Sequence, residues 1–449
     1  MNKLPEIFEA HELTRRNFIK GAAAAATSLS VGPFFLRQAS AAASDEWKIG
    51  TIFPLTGNLA FGGNEGMLGA LVAQEIVNER GGIDTLAGKK KIVFAKADAP
   101  DQTASVNEMN RLLGKEKVQI TLGSFSSAIA YTASAVAERR KTIFWETDAV
   151  VIDLTQRGFK YLFRTNASAA FSGGDAASFV ANYMAEKLGK KAEEVTVGII
   201  WEDGTYGTSV HKGILDRNTK HKLKIVLDES YSGKSTDLSP VILKVKAANP
   251  DVLMGAASGA DAILCCKHMR ELDVNPKAIV GTCAGWGVPN LGKNVGKAVN
   301  GIFTSDFPCE VNGKALAPHA LELREEFIKR YVKMTDNKMG HGSANSWLTF
   351  AGVMVLFENV LSRCKSLDPD EVREAALKVD IPVGGMANAN GCRFVPHDQS
   401  DGGQNERAFC CVVQWQDQAM FPVYPENMAT RQPISIPLPP RRPDRKSVV

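Results

Sequence analysis

The sequence predicts an α/β fold with two lobes, each built on an open parallel sheet. Short apolar segments typical of strands alternate with amphipathic segments typical of helices from residue 47 to residue 145. The alternation restarts after a bridging segment at residues 159–165 and continues to about residue 280. Because parallel strands need crossover connections, which helices supply on both faces of a sheet, the two series predict two α/β units of similar size.

The first series contains the elements expected to build the first lobe. Gly81 and Gly82 are placed to end its first helix, and Asp101 is placed to cap its second. The strands are predicted at residues 47–54, 91–98, 118–122 and 142–145, and the helices at residues 64–79, 103–115 and 127–140.

The second series opens with a helix predicted at residues 170–188. Its strands are predicted at residues 195–201, 223–227, 252–254 and 278–280, and its helices at residues 206–219, 237–248 and 261–272. Three helical stretches, 319–333, 344–363 and 368–378, then precede two β-like segments, 392–395 and 409–414. From Met428 the tail is rich in proline and arginine, which predicts an extended or disordered segment that packs no core.

The first 43 residues carry the pattern of an export signal. Arg15 and Arg16 precede a mildly apolar run that begins at Gly21, and a small-residue cleavage site follows at Ala41 to Ser44. The order of these features predicts a twin-arginine signal and a mature protein in the periplasm. The alternative is an N-terminal amphipathic arm that contains an arginine pair by chance.

The charge balance excludes several classes of partner. The formal net charge is +4 for the whole chain, and residues 1–43 contribute half of it. A net charge this small predicts neither nucleic-acid binding nor electrostatic adhesion to membranes. Beyond the signal, no apolar stretch is expected to form a permanent membrane anchor.

Eight cysteines lie in the second half of the chain. None forms a C-x-x-C motif or lies near suitably spaced histidines, so we expect no metal site. The vicinal pairs at residues 265–266 and 410–411 cannot easily bridge within themselves. Buried thiols and at least one disulfide in an oxidising compartment both remain open.

Candidate binding residues of the first lobe follow its strands. Phe61 would present an aromatic face after the first strand. Ser126 and Ser127 open a helix after the third strand, where hydroxyl and backbone N–H groups suit a carboxylate. Glu146 and Asp148 follow the fourth strand and would suit a cationic or hydrogen-bond-donating group. The alternatives are a hydrophobic staple for Phe61 and helix caps for the polar residues.

In the second lobe, Tyr206 opens a helix after the first strand, where its ring and hydroxyl would close over a ligand. The sequence contains few signs of catalysis: it has no G-x-S-x-G, no H-E-x-x-H and no clustered histidines. We therefore expect no catalytic residues and no cofactor.

Several longer segments carry a family resemblance. In order, they are PLTGNLAFGGNEGMLGALVAQEIVNERGGI, GSFSSAIAYTASAVAERRKTIFWET, LTQRGFKYLFRT, WEDGTYGTS, NPDVL and GQNERAF. With them the chain resembles the solute-binding proteins of ABC importers, of the leucine/isoleucine/valine-binding type. The resemblance implies the type I periplasmic-binding-protein fold, in which three crossovers join the two sheets. It divides the chain into a first lobe at residues 44–165 and 305–385, a second lobe at 166–304 and 386–427, and a tail at 428–449.

The resemblance also implies roles for individual residues. Ser127, with Ser126 beside it, would hold a ligand carboxylate, and Ala149 and Val150 would contact the ligand through backbone groups. Phe61 and Tyr206 match aromatic positions of the two lobes. They are expected to line the site together with Trp286.

One departure from the family pattern bears on the ligand. An acid that normally pairs with the ligand's amino group falls near Cys283, where this chain has none. If the ligand carries an amine, Glu146 or Asp148 must supply the countercharge. Otherwise, an uncharged or anionic ligand held among Phe61, Tyr206 and Trp286 is expected.

These observations predict an exported solute-binding protein. Its partners would be a small polar organic ligand (an amino acid, amide or related carboxylate), the permease subunits of an ABC transporter and the twin-arginine export machinery. Closure of the lobes around the ligand is the expected mechanism. The alternatives are a ligand-sensing regulator on the same fold and an exported hydrolase that uses Glu146 and Asp148.

Overall fold

The first sheet has six strands, β1 (Glu46–Phe53), β2 (Ile83–Thr85), β3 (Gly88–Asp98), β4 (Ile120–Gly123), β5 (Ile143–Glu146) and β6 (Leu162–Arg164). The computed structural model describes residues 45–434 and 436–438, so the predicted export signal lies outside the described residues. The strand order is β2-β3-β1-β4-β5-β6. All neighbours pair in parallel except β2, which forms an antiparallel edge on β3.

The second sheet has seven strands, β7 (Thr196–Glu202), β8 (Lys224–Tyr231), β9 (Val252–Ala256), β10 (Ala278–Thr282), β11 (Phe303–Asp306), β12 (Cys411–Gln416) and β13 (Ala419–Tyr424). Their order is β13-β12-β11-β10-β9-β7-β8. The strands β7 to β11 pair in parallel, whereas β12 and β13 are antiparallel. The sheets are therefore mixed, with parallel centres as expected.

Helices cover both sheets. They are α1 (Ala60–Glu79), α2 (Gln102–Gly114), α3 (Ser127–Arg139), α4 (Ala169–Phe179), α5 (Ala185–Lys187), α6 (Thr205–His221), α7 (Ser239–Ala248), α8 (Asp261–Glu271), α9 (Cys283–Trp286), α10 (Pro289–Val295), α11 (Pro318–Met334), α12 (Ala344–Met354) and α13 (Pro369–Ala376). A π-helical turn at Val180–Met184 joins α4 to α5, where one helix was predicted. The expected cap of α2 is confirmed, because the carboxylate of Asp101 accepts the Ala104 N–H at 2.8 Å.

The core of the first lobe forms where α12 packs against α1. A Cβ on Gly69 would lie 2.3 Å from the backbone oxygen of Ser346, so glycine permits this close approach. The stretch Ala344–Arg363 is long and apolar enough to span a membrane. Its most apolar window is 78% buried inside the protein, as expected of a core helix rather than an anchor.

Three crossovers join the two sheets, at residues 165–168, 307–317 and 404–410. The first and third run side by side: Arg164 N–H donates to the Gly403 carbonyl at 2.8 Å, and Asn405 N–H donates to the Arg164 carbonyl at 2.9 Å. The Arg164 guanidinium also donates to Gln404 Oε1 at 2.6 Å. These bonds couple the two connections at the junction of the lobes.

The late part of the chain differs from the sequence expectations. Met386, Cys392 and Phe394 belong to the core of the first lobe. The predicted return to the second lobe at residue 386 is therefore too early. The chain re-enters the second sheet only at β12, which begins at Cys411. The segment 392–395 forms isolated bridges with Ile381 and Asn405 rather than a strand. It continues the first lobe instead of opening the second.

The start of the tail packs against the folded protein, contrary to expectation. Met428 is buried, and Ile436 and Leu438 pack against the second-lobe cores. Hydrogen bonds fix this segment, because the Gln414 side-chain Nε2 donates to the Ile434 carbonyl at 2.6 Å and Leu438 N–H donates to the Lys277 carbonyl at 2.7 Å. Apolar residues interspersed among the prolines make this packing possible.

All eight cysteines lie within the described residues and are free thiols. Seven are buried, and Cys309 is partly buried. Burial raises the pKa of Cys283 and Cys364 to about 12, so these thiols are uncharged at neutral pH. The cysteines therefore pack as small apolar side chains, which is one of the two alternatives left open by the sequence.

Candidate ligand-binding site

Glu146, at the end of β5, organises the first-lobe loop at the junction between the lobes. Its Oε1 accepts the backbone N–H groups of Ser124, Thr147, Asp148 and Ala149 at 2.8–3.0 Å. Its Oε2 accepts the Ser124 hydroxyl at 3.1 Å. Burial raises the pKa of Glu146, and the backbone donors oppose that rise. Glu146 is fully buried, and its hydrogen bonds are internal.

Ser127 joins the start of α3 to the same loop. Its Oγ accepts the Val150 N–H at 3.3 Å and the Val151 N–H at 3.1 Å. A serine hydroxyl has two acceptor sites and one donor, so Ser127 retains its O–H for a ligand oxygen. Ser126 makes no side-chain cap, and the first turn of α3 holds no acid. The helix therefore presents uncapped N–H groups, a favourable place for an anion.

In the second lobe, Glu202 orders the start of α6 and Tyr206 lies on its first turn. Glu202 accepts the N–H of Gly204 at 2.6 Å and of Gly207 at 2.7 Å. The Tyr206 hydroxyl lies 2.9 Å from Thr282 Oγ1 and 3.2 Å from Cys283 Sγ. Burial, above all, raises the pKa of Tyr206 well above its ordinary value, so the phenol stays neutral.

Apolar side chains from both lobes meet in one group, which we name the interlobe cluster. Its members come from the two lobes and from all three crossovers. They are Ala167, Cys283, Phe307, Leu348, Ala408 and Cys410, with Val150, Phe171, Tyr206 and Ala344 packed against them. The cluster brings the expected site residues Val150 and Tyr206 together, one from each lobe.

Two buried carboxylates lie beside this cluster. The side chain of Asp148 makes no hydrogen bond in the described structure, and its Oδ2 is completely buried. Burial, with the charges of Glu146 and Asp306, raises the pKa of Asp148 well above its ordinary value. Asp306 ends β11 and accepts the Phe307 N–H at 2.8 Å. Burial raises the pKa of Asp306 to about 7.

The remaining expected residues lie in three different environments. Ala149 is buried in the first-lobe loop, where its N–H bonds to Glu146. Phe61 is 58% exposed at the start of α1. Trp286, expected to contact the ligand, is packed in a second-lobe core instead. Its ring lies so close to β10 that a Cβ on Gly281 would approach within 2.2 Å of it.

Asp306 was missed by the sequence analysis. It follows the short segment 301–304 after one intervening residue, Ser305. An acid at a strand end was the signal that drew attention to Glu146 and Asp148, and the same signal applies to Asp306.

A groove of about 660 Å³ adjoins the interlobe cluster at Phe171 and lies between α4 and α6 of the second lobe, the segment 152–156 and the loop after residue 395. None of the nine expected ligand residues lines it. Its buried cation, Arg164, already bonds to Gln404 Oε1 and to the Val151 carbonyl, each at 2.6 Å. Lys212 and Asp216 on its rim are exposed. The interlobe cluster is the better candidate because buried polar groups with unused bonding capacity converge there.

The described part of the chain contains no group of three or more His, Cys, Asp or Glu residues arranged to hold a metal ion. The residues at the candidate site offer hydrogen bonding, charge and apolar contact. The site combines N–H groups at the start of α3 that can bind an anion, two acids and a set of apolar side chains. This combination fits a small organic molecule with both polar and apolar parts.

The family model for periplasmic binding proteins matches residues 46–416. The chain belongs to the periplasmic binding protein family. A relative from Brucella suis, the Leu/Ile/Val-binding protein homolog 8, is 31% identical over 401 residues, which is 89% of this chain and 96% of the relative.

Solved structures agree on the fold of this periplasmic binding protein. The branched-chain amino acid transporter substrate-binding protein LivJ from Streptococcus pneumoniae, in complex with isoleucine, has a TM-score of 0.65 at 20% identity. The match covers 84% of this chain and 97% of LivJ. A solute-binding protein from Rhodopseudomonas palustris, in complex with 3,4-dihydroxybenzoic acid, has a TM-score of 0.66 at 19% identity over 88% of this chain and 99% of that one. The predicted two-lobed type I fold is confirmed.

Proposed function

We propose that this protein captures one small polar organic ligand between its lobes and delivers it to the permease of an ABC importer. Contacts from both lobes would favour the closed arrangement, which the permease then recognises. The interlobe cluster supports this mechanism because side chains of both lobes and all three crossovers meet there.

The observation that carries the proposal is Asp148. A buried carboxylate without a hydrogen bond is rare in native proteins because it loses its hydration and gains nothing in return. Asp148 lies in the loop whose neighbour Val150 packs against the second lobe. A ligand that donates a hydrogen bond at this junction satisfies the carboxylate and joins the two lobes at once.

The opposite end of the ligand is an oxygen acceptor. The Ser127 hydroxyl and the uncapped N–H groups of α3 favour a carboxylate or carbonyl there. Amino acids, amides and related carboxylates share this feature. The isoleucine and 3,4-dihydroxybenzoic acid bound by structurally similar proteins both carry a carboxylate.

The proposal includes export to the periplasm through the twin-arginine route. It rests on the sequence of residues 1–43, above all on Arg15 and Arg16. Replacing both arginines by lysine should leave an unprocessed precursor in the cytoplasm. Normal periplasmic yield of that variant would contradict this part of the proposal.

A hydrolytic role for Glu146 and Asp148 finds less support. The Glu146 carboxylate accepts hydrogen bonds from backbone and hydroxyl groups of the loops after β4 and β5, so it is not free to activate water. Membership of a solute-binding family also favours binding without turnover.

A thermal-shift screen of several hundred metabolites tests the proposed function. A true ligand at 100 times its dissociation constant should stabilise the protein by about 2.7 kcal/mol. The hit should then stay chemically unchanged after incubation and should be taken up by vesicles that contain the permease. Turnover of the hit, or the absence of any stabilising metabolite, would contradict the proposal.

A further inference from the structure

We propose that the loop at residues 425–429, which we name the Met428 latch, holds the two lobes closed before a ligand arrives. The loop projects from the second lobe, and its tip, Met428, is buried among residues of the first lobe and of the second crossover. This inference rests on the proposed closure of the lobes, but it does not depend on which ligand they enclose.

The base of the latch is joined to the second lobe on both sides. Before the loop, the strand β13 ends at Tyr424 and pairs with β12. After the loop, the Thr430 N–H donates to the carbonyl of Pro422 in β13 at 2.9 Å. The chain therefore leaves the second lobe at Tyr424 and returns to it at Thr430, so the second sheet carries the latch.

The following part of the tail holds this base in place. The Ile434 N–H donates to Gln414 Oε1 at 2.8 Å, and Gln414 Nε2 donates back to the Ile434 carbonyl at 2.6 Å. The Arg431 guanidinium lies over the Phe421 ring, 3.5 Å from its centroid. These contacts join the tail to β12 and β13. The tail and the latch are therefore expected to move with the second lobe as one unit.

The tip of the latch is buried outside the second sheet. Only 4% of Met428 is exposed. It belongs to one buried cluster with Val311 and Leu316 of the second crossover and with Ala320 and Ala389 of the first lobe. Burial of a methionine among apolar side chains is favourable, so this contact stabilises the arrangement in which the lobes meet.

Two hydrogen bonds tie the backbone of the tip to the second crossover. The Asn312 N–H donates to the Met428 carbonyl at 2.9 Å, and Asn312 Nδ2 donates to the Ala429 carbonyl at 3.3 Å. A single crossover residue thus binds two successive carbonyls of the latch. The bonds fix the depth at which the Met428 side chain enters its cluster.

Opening of the lobes would act on these contacts. The lobes move apart by bending of the crossovers, and the latch follows the second lobe whereas α11, which contains Ala320, follows the first. Withdrawal of Met428 exposes its side chain to water and separates its carbonyl from Asn312. Because both changes cost free energy, the latch shifts the population toward the closed state. A ligand that binds the closed state gains apparent affinity in proportion to the closed fraction.

The distance between the lobes of the ligand-free protein tests the latch. Dyes attached at Thr103→Cys in the first lobe and Lys234→Cys in the second, both exposed positions, report open and closed molecules by single-molecule energy transfer. The native thiols are buried or partly buried, so they react slowly with the dyes. Otherwise unchanged protein is compared with Met428→Ala and Met428→Leu. Met67→Ala is the matched control, because Met67 is 5% exposed but lies in the first-lobe core.

We expect the labelled protein to populate a closed state without ligand and Met428→Ala to lower the ratio of closed to open molecules by about 10-fold. Met428→Leu should restore most of that ratio because it keeps the apolar volume. Met67→Ala should be less stable and should keep the original ratio. If Met428→Ala fails to fold, Asn312→Ala, which removes the bond to Ala429, should shift the ratio in the same direction by a smaller factor.

An unchanged ratio in the latch variants, or no closed molecules in the labelled protein without ligand, would overturn the latch and leave solute capture intact. An equal shift in Met67→Ala would also overturn it, because the shift would then follow from lost stability alone. A metabolite screen without a hit would overturn the proposed function, whereas the ligand-free populations would still decide the latch.

Discussion

Both lobes place a buried glutamate at a strand end, but the two glutamates leave different groups free. Glu146 in the first lobe accepts hydrogen bonds from its loop, and the start of α3 stays uncapped. Glu202 in the second lobe bonds to the start of α6 itself. The positive end of α3 is therefore open to a ligand anion, whereas that of α6 is already neutralised. Under the proposed function, this asymmetry would orient the ligand with its oxygen acceptor toward the first lobe.

The largest expected effect is on stability. Glu146→Ala removes the acceptor of five donors; the Thr147 N–H and the Ser124 hydroxyl keep a second acceptor, so three donors are left without a partner. Glu202→Ala leaves two donors without their acceptor. Each unsatisfied buried donor costs about 1–3 kcal/mol, so we expect Glu146→Ala to lower the free energy of unfolding by about 3–5 kcal/mol and Glu202→Ala by about 2 kcal/mol. Urea unfolding of both variants measures the difference. An equal or larger loss for Glu202→Ala would contradict the greater role of Glu146.

A second effect concerns pH. Asp306 has a pKa raised from 3.8 to about 7 in the folded protein, so the folded state binds more protons across that range. Its contribution to stability is therefore complete below about pH 4 and is lost as the pH rises through 7, by about 1.4 kcal/mol for each pH unit. Asp148 shifts in the same direction.

Urea unfolding of the ligand-free protein between pH 4 and pH 8 measures this dependence. Asp306→Asn should flatten the profile in part, since Asp148 still titrates. Asp251→Asn is the control, because its partners Lys190 and Lys277 lower the pKa of Asp251. The contribution of Asp251 to stability is therefore lost as the pH falls, opposite to that of Asp306. The same slope in wild type and Asp306→Asn would show that Asp306 is ionised as in water.

The smallest effect is expected for Ser127→Ala. The change removes one O–H donor to the ligand and the acceptor of the Val150 and Val151 N–H groups. Affinity for a carboxylate ligand should fall by about 1–3 kcal/mol and the free energy of unfolding by about 1 kcal/mol. Calorimetry and urea unfolding measure both quantities. Ser126→Ala is the matched control, because Ser126 makes no side-chain cap. An equal loss of affinity in the control would contradict the role of Ser127.

Periodicity predicted most of the fold because the central strands and long helices carry strong local signals. The edge strand β13 was missed, since its hairpin uses Asp417 and Gln418, both with positive φ, instead of the usual asparagine–glycine pair. The packing of residues 386–394 on the first lobe could not be predicted from local sequence either, because it depends on contacts with residues far away in the chain.

The candidate site was predicted less completely. Strand-end position drew attention to Asp148 and Tyr206, which stay predictions. It could not distinguish Asp148 from Glu146, because the hydrogen bonds that separate the two acids form only in the folded loop. Trp286 was expected at the site from the resemblance. The Trp286 ring is buried against β10 because Gly281 on that strand has no side chain. A contact between two separate segments leaves no signal in the local sequence of either.

The most direct test of interlobe capture is a crystal structure with the strongest binder from the screen. We predict that the ligand lies between the lobes, with a hydrogen-bond donor at the Asp148 carboxylate and an oxygen at Ser127 and the start of α3. A ligand in the groove beside Lys212, or one that contacts a single lobe, would contradict both the site and the closure mechanism.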